Sequence, residues 1–135
     1  MKIKEKCIEV LKTTKIVCEE NKRKVTFINS SNISVTKMRV DGCQIIDGGK
    51  CDFLVFYDDK EHFIELKGSD INHAIKQLIR TIETLGSKDC KKRISYIISS
   101  RSPLSAAEIQ VNRIKFRKKL NSDLIVKNRQ YETLI

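Results

Sequence analysis

A change of apolar period partway along the chain constrains its fold more than any other feature. Between residues 37 and 66 the hydrophobic residues fall in three short runs, Lys37 to Ile46, Cys51 to Tyr57 and His62 to Leu66, rich in Val, Ile, Phe and Tyr. Asp47-Gly48-Gly49 and Asp58-Asp59-Lys60-Glu61 separate them, and such residues favour turns. Connections this short join antiparallel neighbours, so the runs read as a three-strand meander. From Asp70 the period becomes helical: Ile71, Ala74, Ile75, Leu78, Ile79, Ile82 and Leu85 form one stripe, ended by Gly86. Arg93 to Ser99 reads as a buried strand, and a strand, helix, strand succession favours a right-handed crossover that lays it parallel in the same sheet. An α/β fold follows.

The flanks are less constrained. Lys4 to Thr14 reads as a short amphipathic helix with Ile3, Cys7, Val10 and Leu11 on one side, and the polar stretch to Lys24 has no clear period. Val25 to Ile28 suits a short strand and Asn29 to Asn32 a turn. Ser102 is placed to cap a second helix with Pro103 at its first position, running to about Leu120, and Leu124 to Val126 suits a last short strand. Pro103 is the only proline, and no Gly/Ser/Pro-rich linker or internal repeat interrupts the chain, so residues 1–135 are expected to form a single domain.

Charge and cysteine usage narrow the function classes. With 27 Lys and Arg against 17 Asp and Glu the formal net charge is +10, on a chain that is 40% hydrophobic. Wholesale disorder is excluded, and a chain of this size buries roughly two thirds of its unfolded surface. No apolar stretch approaches the ~18 residues of a membrane span, and Met1 to Lys6 lacks the core of a signal peptide, so a soluble, intracellular (cytoplasmic) protein is expected. The five cysteines are odd in number and show no Cys-x-x-Cys pair, which fits buried small hydrophobes better than disulfides or zinc. His62 and His73 are too few for a histidine metal cluster. The positive charge suits a polyanionic partner, and equally an ordinary solvated basic surface.

The chemistry-bearing residues gather in the meander. With four loop residues between Tyr57 and His62, Asp52 faces Lys67 and Leu54 faces Glu65, so Asp52, Glu65 and Lys67 share one face near one end of the sheet. Two carboxylates beside an ammonium suit a hard divalent cation bound through oxygen, with the lysine serving a remaining oxyanion. The same three residues also suit a partly exposed salt-bridge cluster.

Gly49 to Val55, then Phe63-Ile64-Glu65-Leu66-Lys67-Gly68, then a helix containing Gln77, resembles the PD-(D/E)XK nuclease superfamily, which includes restriction endonucleases, RecB-type nucleases and Holliday junction resolvases. The match runs over roughly residues 35–100. The resemblance implies a restriction-endonuclease-like core of helix, three-strand antiparallel meander, helix and parallel strand, here followed by a C-terminal helix and short strand. It implies a nuclease dependent on Mg²⁺ or Mn²⁺, with Asp52 and Glu65 as metal ligands and Lys67 as the catalytic lysine. Cys51 stands where the motif has proline. Gln77 is similar to the helix glutamine of the RecB-like branch, with Thr81 where that branch has tyrosine. An acid from the first helix often completes such sites, and Glu9 or Glu5 is available; Asp41 is a further candidate whose face depends on the turn at Gly48-Gly49.

Lys88, Lys91, Lys92 and Arg93, and again Arg113, Lys115, Arg117, Lys118 and Lys119, would then bind nucleic acid, DNA foremost. A homodimer is the usual way for one small site to cut two strands, and no membrane partner is expected. The competing reading is a catalytically silent module of the same fold that binds nucleic acid or a protein.

Overall fold

The computed structural model describes residues 2–66, 70–100 and 105–135. After a 3-10 turn at Glu5–Cys7 come strands β1 (Ile8–Leu11), β2 (Lys15–Glu20), β3 (Arg23–Ile28), β4 (Val35–Arg39), β5 (Phe53–Tyr57) and β6 (Lys60–Glu65). Helix α1 (Ile71–Leu85), β7 (Lys92–Ser99), α2 (Ala106–Leu120), β8 (Asp123–Asn128) and β9 (Gln130–Leu134) complete the order. A six-stranded sheet runs β1-β4-β5-β6-β7-β8, and a three-stranded sheet runs β2-β3-β9. The fold is mixed α/β, with both helices on one face of the large sheet and the small sheet on the other.

The meander, helix and parallel strand stand in the expected order: β4, β5 and β6 pair antiparallel, and β7 pairs parallel to β6 after the α1 crossover. Asp70 caps α1, accepting the His73 N–H at 3.0 Å, and Ile71, Ala74, Leu78 and Ile82 are buried from it. Gly86 closes the helix because a Cβ there would lie 2.6 Å from the Ile82 carbonyl oxygen. Met38, Leu54, Phe63 and Ile97 meet α1 and Phe116 of α2 in one cluster, while Phe53, Val55, Ile64, Tyr96 and Ile98 meet Ile16, Cys18, Val25 and Phe27 in another. With both faces covered, the central strands read as continuous apolar runs.

Several expectations are corrected. The first helix is absent: residues 8–11 form β1, an edge strand paired to β4, and a disulfide joins Cys7 to Cys43. The Ile8-Glu9-Val10-Leu11 run carries two β-branched residues, and pairing with β4 outweighs a weak helical period. The bridge also corrects the reading of the cysteines as unpaired; Cys18, Cys51 and Cys90 remain free. The polar stretch before Lys24 is the β2–β3 hairpin, turned at Asn21 and Lys22 with φ of +50° and +66°, the two left-handed positions a tight hairpin needs. No short turn joins β4 to β5. The chain folds back after Arg39, with Ile45 N–H donating to the Val40 carbonyl at 2.9 Å. Helix α2 begins at Ala106, capped by Ser105; Ser102 and Pro103 lie outside the described residues.

The second cluster encloses a polar chain. His62 is buried between two tyrosines, its Nε2 3.0 Å from the Tyr57 hydroxyl and its Nδ1 2.8 Å from the Tyr96 hydroxyl. Burial, and then the charges of Lys92 and Lys60, lower its pKa from 6.5 to about 4. The unfolded chain therefore takes up a proton below pH 6.5 that the folded one refuses, and stability is lost as pH falls from about 6.5 to about 4. The full loss is about 3 kcal/mol, at 1.36 kcal/mol for each tenfold change in proton concentration between those two values. Urea unfolding at a series of pH values should show this increment in the wild type and not in His62→Asn.

Candidate active site

The turn between β5 and β6 sets where the acids fall. It contains two residues, Asp58 and Asp59, with Asp58 at φ +51° and Tyr57 paired to Lys60. The register therefore differs by two residues from that of a four-residue loop. An even shift keeps the side chains of the paired residues 53–57 and 60–64 on their expected faces but changes their partners. Above the last pair, Phe53 with Ile64, the chain reaches Asp52 on one strand and Glu65 on the other.

Strict alternation ends at Asp52. Cys51 belongs to the helix-side cluster with Leu54, although Phe53 packs toward the small sheet. The Asp52 N–H donates to the Ile64 carbonyl at 3.0 Å, and its Oδ2 accepts the Leu66 N–H at 2.7 Å. The carboxylate thus caps the end of β6 while remaining 8% exposed; Glu65, one strand across, is 3% exposed. Burial, with the nearby charges of Glu65 and Asp52, pushes the Cys51 thiol pKa up.

A third acid arrives from an unexpected quarter. Glu20, at the end of β2, hydrogen-bonds to Asp52, and that bond, burial and the Asp52 charge raise its pKa, against the opposing pull of Arg39 and Arg23. Two carboxyls in hydrogen-bond contact need a proton or a cation between them. Sequence reasoning misses Glu20 because it lies in a stretch without a clear period. The signal that could have found it is the alternation of Ile16 and Cys18 with polar neighbours, followed by Asn21-Lys22 and then Val25 and Phe27.

The other acids named from sequence stand elsewhere. Glu9 is exposed on β1 opposite Lys37, whose Nζ lies 3.9 Å from its Oε1. Glu5 is exposed in the 3-10 turn, and Asp41 is exposed in the fold-back after β4, bridged to Ile45. Lys67 lies outside the described residues. Gln77 acts on the main chain: its Oε1 accepts the Lys50 N–H at 2.9 Å, and Thr81 Oγ1 accepts the Cys51 N–H at 2.7 Å. Together they hold the strand that delivers Asp52.

The basic residues divide by position. Lys92 and Arg93 pair with Lys60 and Glu61, at the end of β6 remote from Glu65. Four to five steps along the strand put them about 13 to 17 Å away. Arg117, Lys118 and Lys119 lie in the last turn of α2, toward the same remote end, because Arg93 bonds the Leu120 carbonyl there. Lys88 and Lys91 are exposed in the connection before β7, Lys91 within 3.5 Å of Asp59, and Lys115 is exposed on α2. Arg93 itself faces inward, its Nε 3.0 Å from Glu61 and its Nη2 donating to the Ser87 carbonyl at 2.8 Å. Arg113 donates to the Leu124 carbonyl at 3.1 Å, and Arg117 pairs with Asp123.

A different basic set adjoins the acids. Arg23 reaches across the strand ends, its Nε donating to the Leu66 carbonyl at 3.3 Å and its Nη1 to Ser100 Oγ at 2.8 Å. Arg39 stacks over Phe53, 5.4 Å from the ring centre. Lys22 and Lys24 flank Arg23 on the hairpin, and the Lys24 N–H donates to the Arg129 carbonyl at 3.1 Å.

Asp52, Glu65 and Glu20 carry oxygen donors of the type that a hard divalent cation takes. Among the described residues no group of three or more His, Cys, Asp or Glu side chains is arranged to hold a metal ion. No helix among them is long and apolar enough to cross a membrane. Comparison with protein-family models, curated proteins and solved structures finds no match to this chain.

Proposed function

We propose that this protein is a metal-dependent nuclease of restriction-endonuclease-like fold that hydrolyses phosphodiester bonds of DNA, using Mg²⁺ or Mn²⁺. One observation carries the reading: Asp52 and Glu65 are both buried at the same end of adjacent strands, where Asp52 Oδ2 accepts the Leu66 N–H at 2.7 Å and Arg23 crosses to the Leu66 carbonyl. Charges are seldom concentrated at a mostly buried strand end without a use. Asp52, Glu65 and Glu20 would hold the cation, which when bound supplies Lewis acidity toward the scissile phosphate. Lys67, two residues after Glu65, is assigned the role of orienting water and balancing charge on the phosphate. Gln77 and Thr81 are positioning residues, since they hold the strand that carries Asp52.

On this reading DNA approaches over the hairpin end of the molecule, and Lys22, Lys24, Arg39 and Arg129 meet phosphates before the remote Lys88 to Lys92 group does. Each phosphate that is no longer neutralised should flatten the log-log salt dependence of duplex binding by about 0.9. Replacing Lys22 and Lys24 together by Glu should lower the slope more than replacing Lys88 and Lys91 together, as read by fluorescence anisotropy across a salt series.

The test of the activity is incubation with labelled linear, supercoiled, single-stranded and four-way-junction DNA in Mg²⁺, Mn²⁺ or EDTA. Cleavage that needs the cation and is lost in Glu20→Gln supports the reading. Binding of DNA with no cleavage of any substrate in either metal would leave a silent module instead.

A further inference from the structure

The Cys7–Cys43 disulfide locks a segment that is otherwise lightly held. Residues 2–6 are exposed, and Cys7 is the one buried side chain of the 2–7 segment. Its side-chain-mediated hydrogen bonds to the rest of the described chain run to two adjacent residues of the fold-back after β4. Gln44, 2% exposed, accepts the Lys4 N–H on Oε1 at 2.8 Å and donates from Nε2 to the Lys2 carbonyl at 2.9 Å. Lys4 Nζ donates to the Cys43 carbonyl at 3.1 Å. Such bonds are each worth little net against the conformational freedom of an exposed chain end.

The fold-back does not need the bridge. The Cys43 and Ile45 N–H groups donate to the Val40 carbonyl at 3.3 and 2.9 Å, and the Gln44 N–H donates to the Arg39 carbonyl at 3.2 Å. Beyond Cys7, β1 is paired with β4 along its length. Breaking the bridge therefore frees residues 2–7, with Ile8 as the hinge, and leaves the sheet behind it.

Access and charge favour breaking. Cys43 is partly exposed, and both cysteines line a surface pocket of about 300 Å³ with Lys6, Lys37 and Arg39 against Glu9. A net positive rim draws in an attacking thiolate and eases departure of the thiolate that leaves. Ile3, nearer the start of the segment, lines a separate cavity of about 380 Å³ with Met38, Leu54, Phe56 and Leu85. Movement of the segment removes a wall of that cavity.

We propose that residues 2–7 are a redox-controlled strap, latched at the cavity by Cys7–Cys43 and Gln44 and released by a dithiol. A thiolate of the dithiol attacks the Cys43 sulfur to form a mixed disulfide, and Cys7 leaves as a thiolate that takes up a proton. The second thiol of the reagent then loses its proton and displaces Cys43, which takes that proton. Two electrons pass to the protein, which holds two thiols, and the reagent departs as its own disulfide. The Gln44 amide re-seats the strap in register when the bond reforms. The latch works whatever the chemistry at Asp52.

The test treats the wild-type chain with dithiothreitol in the absence of denaturant, then pulses it with iodoacetamide and reads each cysteine by mass spectrometry. Cys18 and Cys51, both 0% exposed, report opening of the core. Cys7 is 5% exposed with the strap in place, so its rapid alkylation requires the strap to leave. It should be labelled at least about tenfold faster than Cys18 and Cys51. Reduction should also quicken hydrogen exchange at the Lys4 N–H at least about tenfold, with β5, β6 and β7 unchanged. Cys7→Ser combined with Cys43→Ser should show the same fast exchange without reductant; if that variant does not fold, the reduced wild type still gives the answer. A bond that opens only in denaturant would overturn the proposal, and so would a Cys7 thiol as slow as Cys18 after reduction. Loss of protection in β5 to β7 on reduction would overturn it too, making the bond a staple of the whole fold.

Discussion

Asp52→Asn should lower metal-dependent DNA cleavage by at least about a thousandfold while leaving the fold in place. The amide keeps an oxygen to accept the Leu66 N–H, so the cap on β6 survives, whereas the negative charge that would bind the cation is gone. The change in unfolding free energy should stay near ~1 kcal/mol, the usual worth of one altered hydrogen bond. With its charged neighbour neutralised, Glu20 loses a cause of its raised pKa, so its carboxyl should titrate at lower pH in the variant by NMR. Lys67→Ala should likewise abolish cleavage and spare DNA binding. An Asp52→Asn protein that cleaves at the wild-type rate would refute the nuclease reading. Early melting of both variants would instead make these charges a structural cluster.

The largest effect on stability should come from Arg93→Ala, at about 3–5 kcal/mol, because it leaves the Glu61 charge uncompensated in a buried place. Arg93 also ties the Ser87 and Leu120 carbonyls together, so the connection before β7 and the end of α2 loosen with it. For a chain of this length that corresponds to a fall in Tm of more than about 10 °C, visible by calorimetry. DNA affinity of the folded variant should match wild type, since the guanidinium faces the interior. Glu61→Leu combined with Arg93→Met should recover much of the loss, because no unpaired buried charge remains. A variant of normal stability and weakened DNA binding would return Arg93 to the surface role its sequence neighbours suggest.

Local pattern carried the central part of the fold. The stripe from Ile71 to Leu85, its end at Gly86, and the strand ending at Ser99 were legible because each is decided by side chains close in sequence. The N-terminal region was not. Residues 4–14 have a passable helical period, yet Ile8 to Leu11 pair with β4 through partners some 24 to 30 positions away, which no local window contains. Cys7 and Cys43, 36 residues apart, were invisible as a pair for the same reason.

The candidate site divides along the same line. From sequence alone came the acids Asp52 and Glu65 at the same end of adjacent strands, because the short turn between β5 and β6 brings them together; a common face did not follow, since strict alternation ends at Asp52. Tertiary structure decided which further acid meets Asp52. Glu20 reaches Asp52 only because the small sheet packs on the large one through Ile16, Cys18, Val25 and Phe27. It decided, too, that Arg93 is an interior ion pair and that the basic runs flanking it lie at the far end of β6 from the acids. Periodicity and turn chemistry act over a few residues, and so a single sequence displays them. Which sheet covers which face, and what a charge meets there, depends on contacts between distant segments, whose energies appear only when the chain is folded.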